Sequence, residues 1–359
     1  MEIIGIGLSG GADSAMAAWL LKQSGHQLRG FTMRLHPGAD TAKAERVAEK
    51  LSIPLEILHL EDFFEDKIIS AFVNSYAEGY TPSPCVLCNR IFKFGIMLEA
   101  ILEAGCTRMA TGHYARLETA EDKRIRLLRG ADKAKDQSYF LAQLSQKQLA
   151  KVCFPLGELR KEDVFRQAID LQLISQQEPD SQDLCFLPDG DFSELVAARH
   201  PELCREGWIL DCHGKKLGKH QGAYRYTRGQ RRGLGLGGGP WFVKDINIPE
   251  NLVIVGTANQ ILGETVLLNG MNWLRNPSPE HQSIPCHAQI RYRMTAKSAK
   301  LTPRPQKEGV ITFENPVSAI TPGQLAVCYD DQEVIASGWI IGGRGQGAGG
   351  RLAGSDRSV

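Results

Sequence analysis

The first third of the chain alternates between two hydrophobic rhythms. Ile3 to Leu8 is a short continuous apolar run that breaks at Ser9, Gly10 and Gly11, the pattern of a strand buried on both faces. Ser14 to Gln23 follows as a helix, with Gly25 placed to close it in the left-handed conformation. Leu28 to Met33 predicts a second strand, Thr41 to Leu51 a second helix and Leu55 to Leu58 a third strand. Two longer helices are predicted over Phe63 to Ala77 and Asn89 to Ala104. In the latter, Ile91, Phe94, Leu98, Ile101 and Leu102 recur at helical spacing and mark a core-facing stripe. Arg108 to Thr111 is a further short strand. This order predicts an α/β, Rossmann-like domain with a doubly wound parallel sheet that binds ligands at the carboxyl ends of its strands.

The rhythm changes after about Asp191. Helical spacing fades, and short β-rich runs between Gly and Pro take over: Trp208–Leu217, Trp241–Val243, Leu252–Gly256, Cys286–Arg293, Lys307–Phe313, Gln324–Tyr329 and Val334–Ile341. These predict a small central β-rich domain and a C-terminal β-barrel. The expected division is 1–195, 196–270 and 271–343, with the Gly-rich residues 344–359 as a disordered tail.

"LSGGADS", Leu8 to Ser14, lies at the first strand–helix junction. Two adjacent glycines allow a sharp turn and close approach of a ligand. Amides of the turn and helix start then point at an anion, and Ser9 and Ser14 add hydroxyls. Asp13 repels a phosphate unless a cation bridges them, so it argues for Mg²⁺. The bland alternative is a helix cap with a glycine turn. The stretch is neither a Walker loop nor a dinucleotide fingerprint.

Nine cysteines, an odd number, are scattered through 359 residues, which argues for a reducing compartment. Cys85-x-x-Cys88 has three readings: half of a zinc knuckle, a redox pair, or a nucleophile working with Cys185. Cys88 and Asn89 are expected to open a helix, where the dipole favours a thiolate. Cys185 sits in "DSQDLCFLPDGDF", among loop-type acids and amides. The other six cysteines read as small core residues.

Net charge is +1, and 42% of residues are hydrophobic, so composition neither calls for nor excludes nucleic acid. No run reaches the ~18 apolar residues of a membrane span. With no room for a leader before the first strand, the expected location is the cytoplasm. Charge is uneven, however. His213 to Arg232 carries seven Lys/Arg and no acid, with Tyr224 and Tyr226 interleaved, a phosphate-plus-stacking pattern. "IRYRM", Ile290 to Met294, is a second basic-aromatic patch.

The loop at 8–14 matches the S-G-G-x-D-S loop of the PP-loop ATP pyrophosphatases. "TPSPCVLCNRIFKFG" (81–95), "TGHYAR" (111–116), "KDQSYFL" (135–141), "SQDLCF" (181–186), "YTRGQRRGLGLGG" (226–238) and "TPGQLAVCY" (321–329) resemble, in order, the tRNA-specific 2-thiouridylase family. The resemblance spans nearly the whole chain. It implies an adenine nucleotide alpha hydrolase-like fold and ATP-dependent 2-thiolation of the wobble uridine in tRNAs of the Glu, Gln and Lys type. ATP with Mg²⁺ would be held by Gly7, Leu8, Ser9, Gly10, Gly11, Ala12, Asp13 and Ser14, with Met33 and Gly112. Cys88 would be the nucleophile and Cys185 the persulfide carrier, with Asp13 in the catalytic set. Ser83, Pro84, Cys85, His113, Lys135, Asp136, Gln137, Arg291, Tyr292 and Gln324 match tRNA-contacting positions. The implied partners are tRNA and a sulfur-donor protein or cysteine desulfurase relay, with the enzyme itself a monomer. The family's reference form has an aspartate where this chain has Cys85, which puts that general acid/base role in doubt. The change also leaves three thiols, Cys85, Cys88 and Cys185, as an alternative ligand set for a [4Fe–4S] cluster. The loop alone is equally compatible with an amidating ligase.

Overall fold

The structure is a computed structural model describing residues 2–175, 184–187, 190–276 and 282–344. Ser181 to Asp183 of the second cysteine motif, and the Gly-rich tail beyond 344, lie outside the described residues.

The first unit runs β1 (Ile3–Gly7), α1 (Ala12–Gln23), β2 (Gln27–Arg34), α2 (Ala42–Lys50) and β3 (Leu55–His59). Then α3 (Glu61–Phe64) and α4 (Ser70–Ala77) are joined by a π turn at Glu65–Ile69. Next, α5 (Pro84–Cys88) continues through a π-helix, Asn89–Met97, into α6 (Leu98–Glu103). There follow β4 (Arg108–Ala110), β5 (Ala115–Thr119), β6 (Ile125–Arg129), α7 (Ser138–Leu141), α8 (Gln146–Leu149), β7 (Val152–Cys153), α9 (Lys161–Asp170) and α10 (Phe192–Arg199). Five parallel strands form one sheet in the order β3-β2-β1-β4-β7. The alternation of apolar strands and helices foretells this arrangement, and Gly25, at φ +84°, closes α1 as expected. One face of the sheet is covered by α1, α2 and α9 through Ile4, Ile6, Met16, Val47 and Val164, all buried.

The central strands are β8 (Gly207–Asp211), β9 (Lys216–His220), β10 (Phe242–Asn247) and β11 (Leu252–Gly256), ordered β10-β11-β8-β9. The single strand expected over Trp208–Leu217 is instead a hairpin. It turns at Gly214, whose φ of +84° suits glycine. The C-terminal strands are β12 (Leu262–Trp273), β13 (Ile284–Gln289), β14 (Lys297–Arg304), β15 (Glu308–Ser318), β16 (Leu325–Asp330) and β17 (Glu333–Arg344). They close into an antiparallel barrel, because β12 pairs with both β15 and β17. Closure leaves no unpaired edge in the ring.

The hairpin β5–β6, which the pattern does not announce, belongs to neither expected sheet by sequence position. It extends the barrel sheet through β17. Leu127, Tyr139 and Leu141 share a buried cluster with Leu325, Val327, Tyr329 and Val334. Glu333, 3% exposed, accepts from Arg124, Arg126 and Arg275 at 2.6, 3.0 and 2.9 Å. Burial works against its charge, but the three guanidinium bonds prevail and hold the carboxyl down at about 2. The parallel sheet and the barrel are therefore joined by one apolar core, and the hairpin and the barrel by one buried acid. No helix of the described residues is long and apolar enough to cross a membrane.

Candidate active site

β1 ends at Gly7, and the Leu8 amide still donates to Phe31 O of β2 at 2.8 Å. The chain then turns at Gly10, with φ +81°. A Cβ there would stand 2.3 Å from Lys43 Cβ and 2.6 Å from the Lys43 carbonyl carbon, so only glycine fits between loop and α2. At Gly11 the space is open, with Ser9 Oγ the sole heavy atom within reach of a Cβ, at 3.7 Å. Gly11 is the N-cap of α1, and no side chain caps it. The first amides of the helix are thus left for an anion. Ser14 is buried and braces the turn: its Oγ accepts from Ser9 N and donates to Gly11 O, both at 3.1 Å. Beside Gly10, Lys43, Arg46 and Lys50 line one wall of a cleft of about 450 Å³. They give the loop a cationic flank.

The acid in the loop has a partner that the residue pattern does not reveal. Lys161 Nζ lies 2.8 Å from both Asp13 carboxylate oxygens, and Tyr114 Oη donates to Oδ1 at 2.8 Å. Lys161 opens α9 and is 8% exposed. The chain itself therefore meets the repulsion that argued for Mg²⁺, and Asp13 ceases to be an argument for the ion. Gly112, after β4, packs on the same spot; a Cβ there would be 2.6 Å from the Asp13 carbonyl carbon. Tyr114 belongs to the "TGHYAR" stretch, so a signal for it existed. Nothing in the sequence marks Lys161.

The thiols come together at the same end of the sheet. Cys88 packs with Phe64, Ile68, Ile69 and Phe92, and Met33 and Phe186 complete that cluster. The end of β2, the nucleophile candidate and the residue after Cys185 thus share one apolar wall. One expectation is corrected. The helix opens at Pro84 with Ser83 as N-cap, so Cys85 lies in the first turn, and Cys88 ends α5 and leads into the π-helix. Cys88 is therefore inside a continuous helical run rather than at a helix start. Burial pushes its thiol up to about 12, and the charge of Lys93 works in the opposite direction. The protein packed around the Cys85 and Cys185 thiols raises them too, again opposed by Lys93, although both residues keep exposed surface while Cys88 is buried. Among the described residues no three His, Cys, Asp or Glu side chains gather closely enough to hold a metal ion.

The positions matched to tRNA contact divide by what already occupies them. His113 is 8% exposed, its Nδ1 lies 2.8 Å from Thr111 Oγ1, and its ring packs on Phe94 and Phe154. Burial and then Lys93 drive it well below the usual histidine range, so it is neutral. Asp136 is buried. It pairs with Arg129 at 2.8 Å and accepts from the amides of Gly130 and Ser138. Gln137 accepts from Tyr114 N through its side chain and donates to Tyr114 O through its backbone. Lys135 is half-buried on the same loop. Arg291 bonds Ser318, and Tyr292 packs on Phe140 with ring centroids 4.3 Å apart. Gln324 reaches furthest: its Nε2 donates to Thr81 O and Pro82 O, both at 3.0 Å. Thr81 N in turn donates to Pro322 O at 2.9 Å. The barrel thereby grips the segment that delivers Ser83, Pro84 and Cys85.

In the central basic stretch the tyrosines are not the stacking surface the pattern suggested. Tyr224 is 1% exposed and Tyr226 packs on His220. Trp208 is half-buried, with Lys216 and Lys219 over its ring at 4.1 and 5.2 Å. Arg231 and Trp241 line a separate cleft of about 370 Å³.

Comparison with known proteins agrees with this layout. Residues 2–189 match the family described as tRNA methyl transferase HUP domain, 195–257 its PRC-barrel domain, and 264–340 the aminomethyltransferase beta-barrel domain. A relative from Thermoanaerobacter sp. (strain X514), named tRNA-specific 2-thiouridylase MnmA 2, is 41% identical over 95% of this chain and 99% of its own. Proteins named tRNA-specific 2-thiouridylase MnmA from Syntrophotalea carbinolica and Magnetococcus marinus are each 40% identical. They match over 93% and 94% of this chain, and 97% and 98% of theirs. The phosphate loop, the paired thiols at one end of the sheet and full-length identity at this level lead to one conclusion: the chain belongs to the tRNA-specific 2-thiouridylase family.

Proposed function

We propose that this protein replaces the C2 oxygen of the tRNA wobble uridine with sulfur at the expense of ATP. One observation carries the reading: the uncapped glycine loop and the two thiol segments meet at one end of a single sheet, with Met33, Cys88 and Phe186 in one cluster. An activating site and a nucleophile site are thus adjacent.

The C2 carbonyl of uridine resembles a urea and is a poor electrophile. Attack of its oxygen on the α-phosphorus of ATP expels pyrophosphate and turns that oxygen into part of an AMP leaving group. Amides of the loop and α1 meet the phosphate charge, with Lys43 alongside. ATP brings Mg²⁺ on its own phosphates, where the ion adds charge neutralisation. The terminal sulfur of a Cys185 persulfide then attacks C2 and AMP departs. Cys88 attacks the Cys185 sulfur, the S–S bond breaks, and its electron pair stays on the sulfur bound to C2. A Cys88–Cys185 disulfide remains, and an external dithiol resets it by exchange. The base must leave its stack to reach this end of the sheet. Gln324, holding Thr81 and Pro82, fixes the mouth through which it would enter. The Trp208 platform and the Arg231–Trp241 cleft provide charge and stacking for the RNA backbone and bases.

The reading is tested with alanine at Cys88, Cys185 and Asp13, each assayed for tRNA thiolation and pyrophosphate release. The expected result is loss of thiolation in all three, with pyrophosphate release lost only at Asp13. Thiolation surviving loss of both cysteines overturns the reading.

A further inference from the structure

Cys185 rides on a tight turn. Leu187 N donates to Leu184 O at 2.9 Å, so Cys185 and Phe186 are the two central residues. Cys185 is exposed. The other three side chains are half-buried: Leu184, Phe186 and Leu187 pack on Phe72, Val73 and Tyr76 of α4 and on Val196 of α10. The turn thus presents a sulfur and tucks the rest of itself away. Among the described residues its backbone hydrogen bonds are local, the other being Gly190 N to Leu187 O at 3.0 Å. No strand or helix register places it, so its position comes from side-chain packing.

Phe186 is the side chain of the turn that also reaches the cluster around Cys88. Its ring stands edge-on to Phe72, with centroids 5.3 Å apart and planes at 85°, and edge-on to Phe64 at 5.9 Å and 69°. Phe64, 1% exposed, is in turn edge-on to Phe92 at 5.3 Å and 74°. Phe92 lies four residues after Cys88 on the same helical run. Three rings in edge-to-face contact therefore link the residue after one cysteine to the helix of the other, and such contacts fix orientation as well as distance. Adjacent Cα atoms are about 3.8 Å apart, so a seated Phe186 ring leaves Cys185 little freedom. The chain beyond the turn is pinned to the same helices: Phe192 stacks on Tyr76 at 3.8 Å, and Arg199 pairs with Glu65 at 2.6 Å.

We propose that Phe186 is the positioning residue of the sulfur-transfer step: its ring, clasped by Phe64 and Phe72, anchors the Cys185 turn on the wall that buries Cys88, and Phe64 gauges the separation because it touches both segments. This rests on the reading of Cys88 and Cys185 as reaction partners. That reading asks two things of Cys185. It must be open enough to be loaded with sulfur from outside, and it must be held closely enough for Cys88 to attack it and close a disulfide, whose Cβ atoms stand only about 4 Å apart. The exposed tip of the turn meets the first demand and the buried ring beside it meets the second.

The experiment equilibrates the full chain with reduced and oxidised glutathione and quantifies the Cys88–Cys185 disulfide by peptide mass spectrometry. Cys185 attacks glutathione disulfide and releases one glutathione thiolate. Cys88 then attacks the Cys185 sulfur of the mixed disulfide and expels the second, so the equilibrium constant is the effective concentration of one thiol at the other. Phe186→Ala should lower that concentration about 10- to 100-fold. It should slow single-turnover sulfur transfer from a preloaded Cys185 persulfide by a similar factor, with pyrophosphate release unchanged. Phe186→Leu, which keeps the bulk, should stay within about threefold of the wild type, and Phe64→Leu should fall between the two. An unchanged effective concentration in Phe186→Ala that still releases pyrophosphate overturns the proposal. If Phe186→Ala releases none, Phe64→Leu decides by the same two readings. Normal thiolation in Cys185→Ser would instead remove the reading beneath, so the two failures are distinguishable.

Discussion

The phosphate loop and the thiol site sit at the same end of one sheet and are built by opposite means. The loop is backbone, shaped by where a Cβ can and cannot go: Gly10 is wedged against α2, Gly11 is open, and Asp13 already has Lys161. It is ready before any ligand arrives. The thiol site is side chains on segments about a hundred residues apart, protonated by burial and steadied from the barrel by Gln324. It needs both a long-range scaffold and a source of charge. Preorganisation on one side and contingency on the other suit a two-stage reaction, in which activation must precede exposure of a reactive sulfur.

That contrast can be broken at the loop first. Gly10→Ala forces a left-handed alanine into the Lys43 backbone and should cost about 2–4 kcal/mol. Thermal unfolding and nucleotide binding should both register it, whereas Gly11→Ala, in open space, should disturb only the ligand. Next, Lys161→Met strips Asp13 of its cation beside a triphosphate. The KM for ATP should rise about 10- to 100-fold, by the loss of a buried charge-assisted pair, with Cys88 alkylation unaffected. The smallest effect tests the other side. Glu333→Gln weakens the arginine cluster at the β16–β17 turn and should cost about 1–2 kcal/mol. The Glu333 carboxyl is held near 2, below its ordinary 4.5, so its stabilisation is full above pH 4.5 and fades as pH falls toward 2. Melting temperatures across that window should fall in the wild type and flatten in Glu333→Gln, while ATP binding at pH 7 is retained.

The same contrast explains what the sequence disclosed. A strand, two glycines and a helix start are contiguous, so the loop and the parallel order of β1 to β3 are legible from residues 3–58 alone. Gly25 announces its own conformation. Cys85, Cys88 and Cys185 stand out as residue types, but their surroundings do not. Whether Cys88 starts a helix or lies within one turns on Pro84, which can occupy the first turn and so moves the start four residues earlier. The π winding is bridged by Gln148, more than fifty residues away, and has no local signature. Lys161 is 148 residues from Asp13, and Gln324 is 243 from Thr81. The hairpin at 115–129 has short strands whose partner, β17, begins at 333, and alternation alone cannot say which sheet will take it. Tyr224 is buried for the same reason: its environment is decided by the fold around it, not by the basic residues beside it.

The central claim is that activation and sulfur delivery are separate acts on separate walls of one site. The most direct test is a single turnover of Cys88→Ser protein carrying a persulfide on Cys185, mixed with ATP and unmodified tRNA. The account predicts about one pyrophosphate per active site and no 2-thiouridine by mass spectrometry. Thiouridine appearing at the wild-type rate would contradict it.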